Sequence, residues 1–425
     1  MRSKLDVYIS GTRVGGLAKS DRAEIWFEYD PLWIKTGFPL SPMKQFDLKL
    51  GAFKPTTNLF SGLHGVFNDA LPDGWGLMLM DRAVKKKLGW EPHEISPLDR
   101  LAYIGSRAMG ALEFRPAMAG VGSTGAPSLA HLAEDAMLVQ EGAADDILGA
   151  LYLHGGSPGG ARPKVTIAIE RDGDRCISGF QDIPENFDHW IVKFRTQQAD
   201  PDCMGRLELA YAKMAAAAKI QMPATRLISV IARGKKEEFF AVQRFDRIGN
   251  TKRHVISLGG MLEISHRAPS IDYSALLKAV SFVTRDIGEV EKAFRLMVFN
   301  VLAHNKDDHV KNFSFMKDES GWLLTPAYDL TFSSGMGNQH TTSASGEGNP
   351  TLNAIRKIAE DLQIDQWEET AREVFDAVSS WESFAADLQI PKTIANKYRS
   401  AIAASPCFAE LAHRAKASRS TSLPK

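Results

Sequence analysis

Asp307 and Asn312 bracket the polar run His304-Asn305-Lys306-Asp307-Asp308-His309-Val310-Lys311-Asn312 in the pattern D-x-x-x-x-N. Phosphoryl transfer uses that spacing to set a proton acceptor beside an amide that binds a metal. The chemistry needs a cradle for phosphates, a cation to neutralise them, oxygen ligands for Mg²⁺ and an acceptor for the hydroxyl proton. Pro326-Ala327-Tyr328-Asp329-Leu330-Thr331 supplies a second acidic residue, Asp329, which with Asn312 could hold the metal. The competing structural readings are a charged helix C-cap for the first run and a turn or N-cap role for Asp329.

A cradle is offered by Gly155-Gly156-Ser157-Pro158-Gly159-Gly160-Ala161-Arg162-Pro163-Lys164, which leads straight into an apolar run. Its glycines allow backbone N–H groups to approach phosphate oxygens. It is not a Walker A loop, which ends in G-K-[ST] before a helix. Lys193 closes the apolar run His189-Trp190-Ile191-Val192-Lys193-Phe194 and is placed to pair ATP phosphates, with Glu208 as the candidate that orients it. Gln243-Arg244-Phe245-Asp246-Arg247 falls where strand-like sequence gives way to helical sequence, so its backbone could read an adenine edge. A bare turn, solvated charges and a plain connector are the bland alternatives for these three segments.

These groups need elements to hold them. Val7-Tyr8-Ile9 and Glu24 to Tyr29 read as strands and Gly74 to Lys87 as a helix, with the small, turn-rich stretch 117–128 as a linker. Strands are predicted at Val165 to Ile169, Trp190 to Phe194, Leu227 to Ala232 and Phe239 to Arg244, with a helix at Leu207 to Lys219 and a turn at Arg233 to Lys236. Phe294, Met297, Val298, Val301 and Leu302 form a buried helical stripe that delivers the Asp307 segment to its end. Further helices are expected over 351–363, 366–388 and 391–404, and a polar, disordered tail from about Lys416.

The chain has 425 residues, enough for two or three packed units. Lys plus Arg and Asp plus Glu both number 51, so no global field favours nucleic acid or membrane. Cys176, Cys203 and Cys407 are widely spaced, the N-terminus carries no signal-like apolar stretch, and a soluble, cytoplasmic protein is expected.

Together the motifs resemble the HipA family of serine/threonine kinases, the toxins of bacterial type II toxin–antitoxin modules. The family pattern N-x-D-x-H-x-K-N matches Asn305, Asp307, His309, Lys311 and Asn312; S-x-x-G-A-x-x-K matches Ser157, Gly160, Ala161 and Lys164. The family's ATP-contacting Lys matches Lys193, its E-R-F-D-R hinge matches Gln243 to Arg247 with Gln for Glu, and its Y-D pair matches Tyr328-Asp329. Leu71-Pro72-Asp73-Gly74-Trp75-Gly76 extends the likeness to the N-terminal region. The resemblance implies an α+β, protein-kinase-like bilobal fold: a β-rich N-terminal subdomain over 1–117, an ATP-binding small lobe over 118–246 and a mainly α-helical catalytic lobe over 247–425. It implies Asp307 as catalytic residue and Asn312 and Asp329 as Mg²⁺ ligands. ATP contacts would come from Gly159, Gly160, Ala161, Arg162, Pro163, Lys164, Lys193, Gln243, Arg244, Phe245, His309, Val310, Lys311, Asn312, Tyr328 and Asp329. Ser157 would be an autophosphorylation site that switches the kinase off, although Pro158 stiffens the loop behind it. Implied partners are ATP, a protein substrate such as an aminoacyl-tRNA synthetase or another translation factor, and a small HipB-like DNA-binding antitoxin, with DNA reached only through that antitoxin and no membrane.

Three other readings compete: a small-molecule phosphotransferase of the aminoglycoside type, a metal hydrolase using His304, Asp307, Asp308 and His309, and a kinase-like module without catalysis. The hydrolase leaves the Gly-rich loop and Lys193 without a task.

Overall fold

Alternation in the first residues sets the first layer. In β1 (Lys4–Ile9), Leu5, Val7 and Ile9 point inward while their neighbours face out. The computed structural model describes residues 2–118, 128–142, 151, 159–173, 175–196, 199–268 and 271–421. Its contacts divide it into two units: Met1–Gly205, Ala224–Ile264 and Met316–Ser320 form one, and Arg206–Pro223, Ser265–Phe315 and Gly321–Lys425 the other. The expected linker over 117–128 lies almost wholly outside the described residues.

The two largest sheets of the first unit are antiparallel. β2 (Thr12–Lys19), β3 (Ile25–Tyr29) and β4 (Glu113–Arg115) join β1 in the order β3-β2-β1-β4. Phe27 is fully buried in this part of the unit, with the rings of Tyr29, Phe46, Phe53 and Phe67 at centroid distances of 4.9 to 6.4 Å. The helix Gly74–Leu88 matches the expected span and stops at Gly89, whose φ of 71° no side-chain-bearing residue adopts cheaply. The second sheet is built of β5 (Lys164–Glu170), β6 (Cys176–Ser178), β7 (Phe187–Lys193), β8 (Thr225–Ala232) and β9 (Lys235–Gln243), ordered β6-β5-β7-β9-β8. β5 is buried along nearly its whole length, so both of its faces are covered. The turn between β8 and β9 narrows to Arg233-Gly234, both at positive φ, the geometry that follows strand twist in a tight hairpin.

The second unit is helical. Its central helix, Ile287–Leu302, is capped by Asp286, whose carboxylate accepts the Gly288 amide at 2.8 Å, and it buries all five residues of the expected stripe. Residues 206–223, carrying most of the helix Met204–Ala217, cluster with this unit rather than with the strands around them in sequence. The single helix expected over 366–388 is two, Trp367–Ser379 and Trp381–Asp387. The Ser380 hydroxyl donates to the Asp376 carbonyl at 3.1 Å, a local bond that competes with the helical ladder. The tail differs as well: the helix Pro406–Thr421 runs past Lys416, where the sequence predicted disorder. Ala, Lys and Arg favour helix, and Arg414 pairs with Glu410 one turn back at 2.8 Å.

Candidate active site

The segment from Ala303 to Asn312 begins where the central helix ends. His304 adopts φ of 56°, turning the chain, and the Asn305 amide returns to the Asn300 carbonyl at 3.0 Å. From there the chain is buried through Lys306, and Asp307 is the exposed residue between two buried neighbours. Lys306 is 4 % exposed and its ammonium donates to the Asn338 carbonyl and to Asn349 Oδ1, each at 2.7 Å. Burial lowers its pKa, against the opposing pull of Asp308. Asp307 is exposed, whereas Asp308 is 1 % exposed.

Asp308 is the anchor of this loop. Its carboxylate accepts Tyr273 Oη at 2.7 Å, His340 Nδ1 at 2.8 Å and the amides of Thr341 and Thr342 at 2.8 and 3.2 Å. Tyr273 Oη in turn accepts from Asn300 Nδ2 at 3.1 Å, and Asn300 Oδ1 accepts from Asn305 Nδ2 at 2.9 Å. A buried carboxylate satisfied by four donors is a structural group, and its fixed position forces the adjacent Asp307 outward.

Asn312 reaches back to Asp307: its Nδ2 donates to the Asp307 carbonyl at 2.6 Å, which turns its Oδ1 the other way. Tyr328 Oη donates to the Lys311 carbonyl at 2.6 Å and pairs with Ser314 Oγ at 2.6 Å. Asp329 follows with φ of 57°, and beyond it Ser333 bridges to Asn305, with the Ser333 amide on the His304 carbonyl at 3.1 Å. The stretch carrying Asp329 therefore runs beside the stretch carrying Asp307. An amide oxygen and a carboxylate are hard donors of the kind Mg²⁺ takes when water and phosphate complete its shell. His309 is half-buried, its ring 5.4 Å from that of His266, and Val310 is buried in the short turn Val310–Asn312.

The hydrolase reading finds no support in this arrangement. Among the described residues no group of three or more His, Cys, Asp or Glu gathers as a metal cage. His304 is stacked on Phe332 at 4.9 Å between centroids, and burial, followed by Lys306 and His340, pulls its pKa down to about 4. It is a neutral packing residue.

The first unit carries the remaining candidates. Ser157 lies outside the described residues, which resume at Gly159. The Lys164 ammonium donates to the Gly159 carbonyl, and the Gly160 amide donates to Asp73 Oδ1. Ala161 is exposed, Arg162 pairs with Asp200 at 3.1 Å, and Pro163 is buried, its carbonyl accepting the Phe194 amide at 2.8 Å. Lys164 pairs directly with Lys193 in the register of β5 and β7, and the Lys193 ammonium sits 5.7 Å from the centre of the Phe240 ring. Glu208 is buried on the helix Met204–Ala217, in the second unit.

The connector Gln243 to Arg247 is held by its charges. Arg244 meets Asp246 through two bonds of 2.9 and 2.7 Å, Arg247 adds one of 2.8 Å, and the Gly110 amide donates to the same carboxylate at 2.7 Å. The two guanidiniums overcome burial and hold the Asp246 carboxyl far below the usual range. The Gln243 and Arg244 amides are engaged by the Ala224 and His189 carbonyls, each at 2.8 Å, so the Arg244 side chain and both amides serve the fold. Carbonyl groups and the half-buried Phe245 are what this segment has left to offer a base.

Sequence reasoning passed over Tyr273, Asn300, His340 and the Thr341-Thr342 amides. Asn300, a lone polar residue on a buried helix face, was the one available signal. His340 and the threonines stand 32 to 34 residues from Asp308 in an irregular segment with no periodicity to read.

Residues 156–403 match the family model of the HipA-like C-terminal domain, and residues 5–115 that of the HipA N-terminal domain. Among solved structures, the chain is similar to HipA of Shewanella oneidensis MR-1, determined with HipB and its operator DNA. The match covers 96% of this chain and 99% of that one at 17% identity, with a TM-score of 0.70, which shows a shared fold. The Helicobacter pylori proinflammatory kinase CtkA aligns over 55% of this chain and 94% of its own at 12% identity, with a TM-score of 0.32, too low to bear on the fold. No curated protein sequence matches the chain.

Proposed function

The chain belongs to the HipA family, and from that premise we propose that it is an ATP- and Mg²⁺-dependent serine/threonine kinase, the toxin of a HipA/HipB-type pair. The observation that carries this reading is the bond from Asn312 Nδ2 to the Asp307 carbonyl, made while Asp308 is buried and Asp307 is exposed. It sets an exposed aspartate and the Asn312 amide together on the same short loop.

In this mechanism Asp307 accepts the proton of a substrate serine or threonine hydroxyl as its oxygen attacks the γ-phosphorus of ATP and ADP departs. Asn312 and Asp329 are the residues that would hold Mg²⁺, which would supply charge neutralisation for the phosphoryl group. Lys164 and Lys193 balance the phosphates, the amides of residues 159–164 cradle them, and the 243–245 carbonyls with Phe245 receive the base. Ser157 is the proposed autophosphorylation site, because a dianion there would repel ATP phosphates. The proposed partners are a translation protein as substrate and a small HipB-like antitoxin, through which operator DNA is reached, all in the cytoplasm.

Purified protein incubated with γ-labelled ATP and Mg²⁺ should label itself and selected lysate proteins, with label lost on chelation and in Asp307→Asn. Mass spectrometry should find phosphate on Ser157. Label appearing only on small alcohols or sugars would overturn the protein-kinase reading in favour of a small-molecule phosphotransferase.

A further inference from the structure

The signature Leu71-Pro72-Asp73-Gly74-Trp75-Gly76 lies in the N-terminal part of the first unit, yet its contacts are with the Gly-rich loop 87 residues later. Asp73 Oδ1 accepts the Gly160 amide, and the Trp75 amide donates to the Gly160 carbonyl at 3.2 Å. Both backbone polar groups of Gly160 are thereby clasped. The approach is tight enough to demand glycine: a Cβ on Gly74, which has φ of 45°, would stand 2.7 Å from the Gly160 carbonyl oxygen and 2.8 Å from Ala161 Cα. A Cβ on Gly159 would stand 3.1 Å from the Asp73 carboxylate. Asp73 precedes the helix Gly74–Leu88 without a side-chain cap bond, so its carboxylate is directed at the loop instead.

We infer that Asp73 is a latch on the phosphate loop, its carboxylate holding the Gly160 amide that a nucleotide phosphate needs. The inference rests on the ATP reading above. A carboxylate and a phosphate are both anionic oxygen acceptors, and one N–H serves one of them well. The second loop donor is satisfied internally too, since the Lys164 ammonium lies on the Gly159 carbonyl. The polyphosphate must therefore displace an anion of like charge as well as break its hydrogen bond. Through Asp73 the N-terminal part of the unit sets the affinity for nucleotides with β- and γ-phosphates, while adenosine, which has none, is indifferent to the latch.

The test is calorimetric binding of a non-hydrolysable ATP analogue with Mg²⁺, and of adenosine, to the full-length wild type, Asp73→Asn and Asp73→Ser. Asn keeps an acceptor and removes the charge; Ser is too short to reach Gly160. The expected result is about three- to tenfold tighter binding of the analogue by both variants at low salt, the scale of one like-charge contact in a partly solvated site. That gain should shrink at about 0.5 M salt, and adenosine should bind all three proteins alike. A purely structural role would move neither the salt dependence nor the contrast with adenosine. If the analogue binds the wild type but binds both variants equally well or more weakly, the latch is overturned and the ATP reading stands. If it binds none of the three, the ATP reading fails and the latch fails with it.

Discussion

Lys164 and Lys193 stand directly opposite one another on neighbouring antiparallel strands, Cα partner to Cα partner, so their side chains emerge on the same face of the sheet. Like charges in that relation cost stability, of order 0.2 to 1 kcal/mol. Two lysines on one face of the sheet are what an anionic ligand would exploit.

Lys193→Met is accordingly expected to leave the melting temperature unchanged or slightly raised, while phosphoryl transfer falls by roughly a hundredfold or more, the usual loss on removing one preorganised charge-stabilising group. Initial rates with saturating labelled ATP and a thermal melt on the same preparation provide the check. Transfer within threefold of wild type would remove Lys193 from the phosphate site.

The two adjacent aspartates should separate cleanly. Asp307→Asn, at an exposed position, is expected to melt like the wild type and to transfer no phosphate. Asp308→Ala strands the Tyr273 hydroxyl, His340 Nδ1 and two backbone amides, and should cost about 3 kcal/mol or more of stability in urea denaturation. If Asp308→Ala melted normally and Asp307→Asn did not, the roles assigned to the pair would be reversed.

Tyr328 ties the strand entry at Ser314 to the Lys311 carbonyl. Tyr328→Phe removes both bonds and keeps the ring. A loss of about 1 to 2 kcal/mol and a lowered rate of transfer are expected, since the 310–312 turn that presents Asn312 loses its brace. A variant with wild-type stability and rate would show that the turn holds itself.

Acid sensitivity should follow from three buried histidines. Burial, the largest cause for each, holds His189, His254 and His304 at pKa values of about 4. Their unfolded value is near 6.5, so as pH falls through that range the unfolded chain takes up protons that the folded chain refuses. Their contribution to stability is therefore full above about pH 6.5 and is lost progressively as pH falls toward about 4. His304→Phe, which preserves the stack on Phe332, should flatten the decline of melting temperature across that window. An unchanged slope would mean that His304 titrates normally.

Much of this architecture is carried by local sequence. The β5 and β7 strands, the buried stripe of Ile287–Leu302, the tight turn at Arg233-Gly234 and the order of glycine loop, lysine, connector and Asp-Asn segment were all legible, because periodicity, turn chemistry and short spacings are properties of a few consecutive residues. The choice of Asp307 over Asp308 rests on spacing alone; the structure adds that Asp308 is buried and Asp307 exposed. The limits of helices were less legible: the break at Ser380 and the helical tail to Thr421 each turned on one local competition that composition leaves balanced.

What the sequence determined by itself was which residues could do chemistry and which elements carry them. Tertiary structure alone decided what holds them. Asp308 finds His340 and Tyr273, Gly160 finds Asp73, and Asp246 finds the Gly110 amide across separations of 32, 35, 87 and 136 residues. Such pairings are selected by the packing of whole layers, through the burial of polar groups that must find partners wherever the fold brings them. No window of the chain contains that information, and so the outward turn of Asp307 and the clasp on the Gly-rich loop became visible only in three dimensions.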